Sequence, residues 1–194
     1  MKSSDPFLAV AEFAAACERL RIPYVIGGSI ASMAYGEPRL TLDVDVAIAL
    51  NPLQVDAFAI ALSRDFYVDP QSIADAVRTT SSFNANHKTS WMRVDVYVRA
   101  NQGHFAEELR RARPKAVLED PDATAMFCSA EDIVLQKLRW YRSGGEVSER
   151  QWRDVAGVLK RQGQRIDVEY VLRWSTELGV RDLAERALRE AGFG

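Results

Sequence analysis

Two aspartates set two residues apart, in the run Asp43-Val44-Asp45-Val46-Ala47-Ile48, constrain this chain more than any other feature. Alternation of this kind has the period of a β-strand, whose side chains point to opposite faces in turn. Val44, Val46 and Ile48 then share a face suited to a core, while Asp43, Asp45 and Ala47 share the other. Two ionised carboxylates side by side repel one another. A cation relieves that repulsion, and hard oxygen donors suit Mg2+ or Mn2+.

The residues upstream point to an anion beside that cation. Pro23 followed by Tyr24-Val25-Ile26 reads as an apolar strand, Gly27-Gly28-Ser29 as a turn, and residues 30–35 as a short helix. Glycines let a ligand approach the backbone, and the first amides of a helix, with its dipole, favour a phosphate. A β-turn-β unit with two solvated aspartates is the plainer alternative. It accounts for Asp43 and Asp45 but not for their company with Gly27, Gly28, Ser29, Arg39 and Thr41.

A second alternating run, Met92 to Val98, places its valines on one face and Arg93, Asp95 and Tyr97 on the other. Strands disfavour Asp without a reason, which marks Asp95 as a third candidate carboxylate. Residues 81–87 and 91–99 are predicted to form an antiparallel pair. Helices are predicted near the N-terminus, with Ser4 or Asp5 as cap, over about 52–64 with Leu53, Val55, Phe58, Ile60 and Leu62 mostly inward, and over about 70–77. Residues 103–113 read as a polar helix. Its Arg110, Arg111 and Arg113, with Lys115 beyond, form a solvated face or a contact for a polyanion. Short strands are predicted at 66–68, 114–118 and 125–128.

From Ser129 onward the pattern is helical only. Ser129-Ala130-Glu131-Asp132 opens a helix with a Ser-x-x-acid cap. Further helices are expected from Ser148 to Gln162, over 168–178 and over 180–191. The fold class is therefore α+β with a mixed sheet, in two parts: a core over 1–128 and a helical region over 129–194.

Gly27-Gly28-Ser29, then Arg39-x-Thr41-x-Asp43-x-Asp45, then a later strand Asp, resembles the signature of the nucleotidyltransferase superfamily, the polymerase-beta-like fold. The chain looks most like the small bacterial members grouped with AbiEii-type toxins. The run from Ala130 to Tyr141, with Asp154 after it, resembles the helical segment that follows the core in those proteins, although relatives commonly carry Pro where Ala130 stands. The resemblance implies a nucleotidyltransferase fold with a C-terminal helical bundle. It implies Mg2+ or Mn2+ on Asp43, Asp45 and Asp95, and a nucleoside triphosphate held by Gly27, Gly28, Ser29, Arg39, Thr41 and Lys137. The implied reaction moves a nucleoside monophosphate to a hydroxyl on RNA such as a tRNA end, on a protein, or on a small molecule. A toxin role with an antitoxin partner follows from the AbiEii likeness. Lys137 is otherwise a solvated lysine, and Asp154 is expected to pair with Arg139 or Arg153. Two other classes remain: a nucleotide-binding regulator without transfer, and a partner-binding protein with a retired site.

Composition narrows the setting. The formal net charge of −2 gives no global basic field for nucleic acid. No run of about 18 apolar residues is present, so no membrane span is expected. Charged residues interrupt the N-terminal apolar stretch, which reads as an amphipathic helix and not as a signal peptide. Cys17 and Cys128 lack metal-ligand spacing and suit buried thiols of a cytoplasmic protein. His87 and His104 have no spacing for zinc or a nucleophilic triad and read as ordinary surface or strand residues. Trp91, Trp140, Trp152 and Trp174 are expected as core anchors, with Trp140 and Tyr141 as an alternative base pocket.

Overall fold

The computed structural model describes residues 6–36, 41, 43–118 and 123–193. Its backbone divides into two compact units, Met1–Ile30 with Leu40–Cys128, and Ala31–Arg39 with Ser129–Gly194. The proposed caps Ser4 and Asp5 lie outside the described residues.

The first unit contains helix α1 (Pro6–Arg19), strand β1 (Tyr24–Ile26), the start of helix α2 (Gly28–Tyr35) and strand β2 (Asp43–Ile48). It continues through α3 (Val55–Ser63), β3 (Phe66–Tyr67), α4 (Pro70–Thr79), β4 (Ser82–His87), β5 (Arg93–Val98), α5 (Gly103–Arg111), β6 (Arg113–Ala116) and β7 (Thr124–Phe127). The strands form one mixed sheet in the order β3-β4-β5-β2-β1-β7-β6. β2 runs parallel to β5 and β1 to β7, and the other neighbours are antiparallel. Parallel neighbours need a long crossover. Between β2 and β5 it comprises α3, β3, α4 and β4.

The apolar faces of β2 and β5 bury Val44, Val46, Ile48, Val94, Val96 and Val98. Phe13 of α1 meets Phe58 of α3 and Phe66 of β3 edge-on, with ring centroids 5.9 and 6.0 Å apart. Such edge-to-face pairs add to the large apolar area each ring removes from water. His87 is the last residue of β4 and fully buried, so of the two expectations the strand residue holds and the surface residue does not. Its Nδ1 lies 2.6 Å from Ser90 Oγ and its Nε2 2.5 Å from Glu12 Oε2, so two polar partners replace the water it lost.

The second unit contains α6 (Ala130–Ser143), α7 (Glu149–Gln162), α8 (Val168–Glu177) and α9 (Arg181–Glu190). Ile133, Leu135, Leu138, Val158, Leu159, Val171 and Leu188 are buried in it. Ser129 caps α6 by accepting from the Asp132 amide at 3.2 Å. Asp132 Oδ2 accepts from Ser129 Oγ at 2.6 Å, and Oδ1 from Tyr170 Oη at 2.7 Å. Glu131 Oε1 accepts from the Asp167 amide at 3.0 Å. The two acids therefore tie the start of α6 to that of α8.

Several sequence expectations need correction. Leu53 and Ile60 are 93 % and 73 % exposed: Leu53 lies in a single 3-10 turn, Pro52–Gln54, that buries no residue, and only Phe58, Ala59 and Leu62 of α3 turn to the core. Trp91 and Trp140 are exposed and anchor no core. Helix α2 begins at Gly28, so the glycine-serine turn is the first turn of the helix. Arg113 belongs to β6, not to the helix before it.

Among the described residues no helix is long and apolar enough to cross a membrane. Cys17 and Cys128 are free and buried. Phe13→Ala is expected to cost about 3–5 kcal/mol, whereas Ile60→Ser should stay within about 0.5 kcal/mol. Urea unfolding of the two variants checks the difference.

Candidate active site

The parallel register of β2 and β5 assembles the acids. Asp45 stands opposite Asp95 and Asp43 opposite Arg93. Neighbouring strands lie about 4.8 Å apart, so residues 43, 45 and 95 occupy one small area of one sheet face. The opposite face of both strands is valine and isoleucine, buried throughout, and this fixes which way the acids turn.

Gly27 and Gly28 close over this area. The Gly27 amide donates to Asp45 O at 2.9 Å, which extends the β1–β2 pairing by one bond. Gly28 follows at φ +53°, and a Cβ built on it would stand 1.7 Å from Asp45 Oδ2. Both conformation and space demand glycine here. The N-terminus of α2 thus begins beside the Asp45 carboxylate, and Ser29 in its first turn is buried.

Each carboxylate has a partner on its own face. Asp43 Oδ1 accepts from Thr41 Oγ1 at 2.7 Å. Asp95 Oδ2 accepts from Arg93 Nη2 at 2.9 Å, with the Asp95 side chain 16 % and the Arg93 side chain 53 % exposed. Asp45 is hydrogen-bonded to the Tyr97 side chain. Burial, followed by the negative charges of Asp45 and Asp95, pushes the Tyr97 phenol up to about 12. Tyr97 is the site residue that sequence reasoning left unassigned, although its place two residues beyond Asp95 on an alternating strand puts it on the acid face.

Among the described residues no three His, Cys, Asp or Glu side chains converge as a ready-made metal cluster. The donor set nevertheless fits a hard divalent cation. It consists of three carboxylates at adjacent register positions, and an ionised carboxylate offers about four lone-pair sites, more than the bonds described here use.

Arg39 lies outside the described residues. Lys137 is in α6 of the helical unit and is not a solvated lysine. Its Nζ lies 3.0 Å from Asp154 Oδ2 of α7, with the side chains 5 % and 11 % exposed. Asp154 thus meets Lys137, which lies on the buried stripe of α6 with Ile133, Val134, Leu138 and Tyr141. The spacing of that stripe in the sequence was the available signal for burial.

No protein-family model matches the chain, and no curated protein does. Solved structures do match in fold. An antigenic nucleotidyltransferase-like protein from Paracoccidioides brasiliensis aligns with TM-score 0.57 and 18 % identity, over 97 % of this chain and 94 % of that one. The antibiotic-resistance factor ANT(2'')-Ia in solution aligns with TM-score 0.58 and 14 % identity, over 95 % and 96 %. A crystal structure of ANT(2")-Ia in complex with adenylyl-2"-tobramycin aligns with TM-score 0.57 and 14 % identity, over 90 % and 97 %. At such identities the likeness shows the fold: this chain has the nucleotidyltransferase fold.

Two expectations follow from the geometry. Gly28→Ala should displace the Asp45 carboxylate and strain the backbone; a Tm several degrees below native, by circular dichroism, is the expected reading. Tyr97 is raised in the folded state from an ordinary value of about 10. Its stabilising contribution is therefore complete below about pH 10 and lost as the pH climbs toward about 12. In Asp45→Asn the phenolate absorbance should titrate at lower pH than in the native protein, yet above the ordinary value, because burial persists. An unshifted midpoint would contradict the contact.

Proposed function

We propose that this protein transfers a nucleoside monophosphate from a nucleoside triphosphate to a hydroxyl acceptor. The observation that carries the reading is the registered pair Asp45 and Asp95, with Asp43 beside it, lying against the Gly27-Gly28-Ser29 start of a helix. Asp43, Asp45 and Asp95 would hold the divalent cation, Mg2+ or Mn2+. When bound, that ion neutralises charge on the phosphates and lowers the pKa of the attacking hydroxyl.

The chain's own groups supply the rest. Amides of Gly28 and Ser29 at the helix N-terminus bind β- and γ-phosphate oxygens, where the dipole favours negative charge. Tyr97 orients the Asp45 carboxylate through its hydrogen bond. Asp95 accepts the proton of the acceptor hydroxyl as the new P–O bond forms and the bond to pyrophosphate breaks. Thr41 holds Asp43, and the resemblance assigns Arg39 to the nucleotide. Transfer of this kind needs positioning and charge neutralisation more than covalent help. The resemblance assigns Lys137 to the triphosphate. That assignment is part of the same reading; within the helical unit the Lys137 ammonium is buried in its ion pair with Asp154.

The domain division proposed is a transferase core over 1–128 and a helical region over 129–194. Within the superfamily we place the chain with AbiEii-like toxins, acting in the cytoplasm beside an antitoxin. The structure of ANT(2")-Ia with adenylyl-2"-tobramycin shows an adenylyl group on a small molecule, which keeps such acceptors in the same class. A second reading is a nucleotide-binding regulator without transfer. It is favoured by the engagement of Asp43 with Thr41 and of Asp95 with Arg93.

Calorimetry with the four nucleoside triphosphates and Mg2+ tests the proposal, alongside a pyrophosphate-release assay. Metal-dependent binding to the native protein, lost in Asp45→Asn, is the expected result. Binding without pyrophosphate release, with acceptors supplied, would favour the regulator. Absence of binding to folded native protein would remove both readings.

A further inference from the structure

The acid face continues beyond the carboxylates. Across the strands, Asp43 stands opposite Arg93, Arg93 opposite Asn86, and Asn86 opposite Tyr67. Three strand spacings put Tyr67 about 14 Å from Asp43 along this row. At its end Tyr67 and Trp91 stack, with ring centroids 6.4 Å apart and planes 27° from parallel. They remain 56 % and 74 % exposed. Lys88 Nζ sits 5.3 Å from the Tyr67 centroid, held there by the Ser63 and Arg64 carbonyls at 2.6 and 3.2 Å.

The backbone of Trp91 adds an independent observation. This residue closes the loop between β4 and β5, donating its amide to His87 O at 3.0 Å, and it does so at φ +61°. Hairpins fill such left-handed positions with glycine or asparagine, and a bulky residue there is a steric outlier. The indole is mostly exposed, so the fold recovers little of the strain by burying it. Strain of this sort, held at the end of a row leading to the acids, points to a ligand.

We propose that Tyr67, Trp91 and Lys88 form the acceptor-side platform of this site, and that the acceptor is a single-stranded nucleic acid. This inference rests on the nucleotidyl-transfer reading and names its acceptor. One base stacks on the aromatic pair, which accepts any base because every base has a π-face. The phosphates pass Lys88 and Arg93 on the way to Asp43, Asp45 and Asp95. Arg64 at this edge is paired with Asp65 at 3.8 Å and adds no net charge. The attraction is local, since the whole chain carries a net charge of −2.

Fluorescence anisotropy of a 5′-fluorescein hexaadenylate RNA with the full chain, at two salt concentrations, tests the platform. Trp91→Phe keeps an aromatic ring at the left-handed position, and Trp91→Ala keeps its Cβ there without the ring. The alanine variant should bind the hexamer about ten- to a hundredfold more weakly. The phenylalanine variant should stay within about threefold of native, and affinity should fall with salt. Calorimetric binding of the triphosphate should be unchanged in both. Native protein that binds triphosphate but not the hexamer would overturn the platform alone and turn attention to a protein or small-molecule acceptor. Equal binding of the hexamer by native and alanine proteins would overturn it as well. Free AMP bound as tightly as the hexamer would reduce it to a mononucleotide site and overturn the polymer. Failure to bind either triphosphate or hexamer would remove the transfer reading together with the platform.

Discussion

The parallel pairing of β2 with β5 is the constraint on which the rest of this structure depends. It is not a local pairing: α3, β3, α4 and β4 intervene, and the loop closed by it is long. What holds it is the apolar side of the two strands, six valine and isoleucine side chains removed from water. The acids on the other side oppose the pairing by mutual repulsion. The site is thus assembled against its own electrostatics, and hydrophobic burial on the back of the same strands holds it together.

This division of labour explains the other features of the face. Thr41, Arg93 and Tyr97 each contribute one hydrogen bond to one of the three carboxylates. Each lies on the acids' own strands or just before β2, so the compensation comes from neighbours that alternation already placed there. A bound cation and a triphosphate would replace or share these bonds without any change in the register beneath. The amides at Gly27 and Gly28 complete the picture, since the first is tied to the Asp45 backbone and the second cannot carry a side chain.

Much of this was legible in the sequence because it depends on a period of two. The alternation of 43–48 and 93–98 gave both strands, their buried faces and all three acids. The cap at Ser129 and the break to helices there were equally readable. Legibility failed where tertiary contact overrides local pattern. Leu53 and Ile60 look like core residues of one helix, but Leu53 falls in a 3-10 turn before α3 and the neighbouring elements leave both uncovered. His87 looked ordinary because Glu12, 75 positions away in sequence, supplies its second partner. Trp91 could not be read as exposed, since its direction is set by a left-handed backbone that no sequence rule assigns to tryptophan. Lys137 was open to two readings, a triphosphate contact and a solvated lysine, and its spacing on the buried stripe was the signal against the second.

The ion pair between Lys137 and Asp154 has a consequence for how this chain can vary. Removal of one partner takes away a contact that helps to hold the other charge in a low-dielectric interior, which is costlier than loss of both. Single substitutions at these two positions are therefore poor evolutionary intermediates, whereas a joint exchange to apolar residues of similar volume is close to neutral for the fold. Among descendants of this sequence the two positions should change together or not at all. A lineage that keeps both charges despite the open route to an apolar pair would be one in which the ammonium is retained for something other than packing.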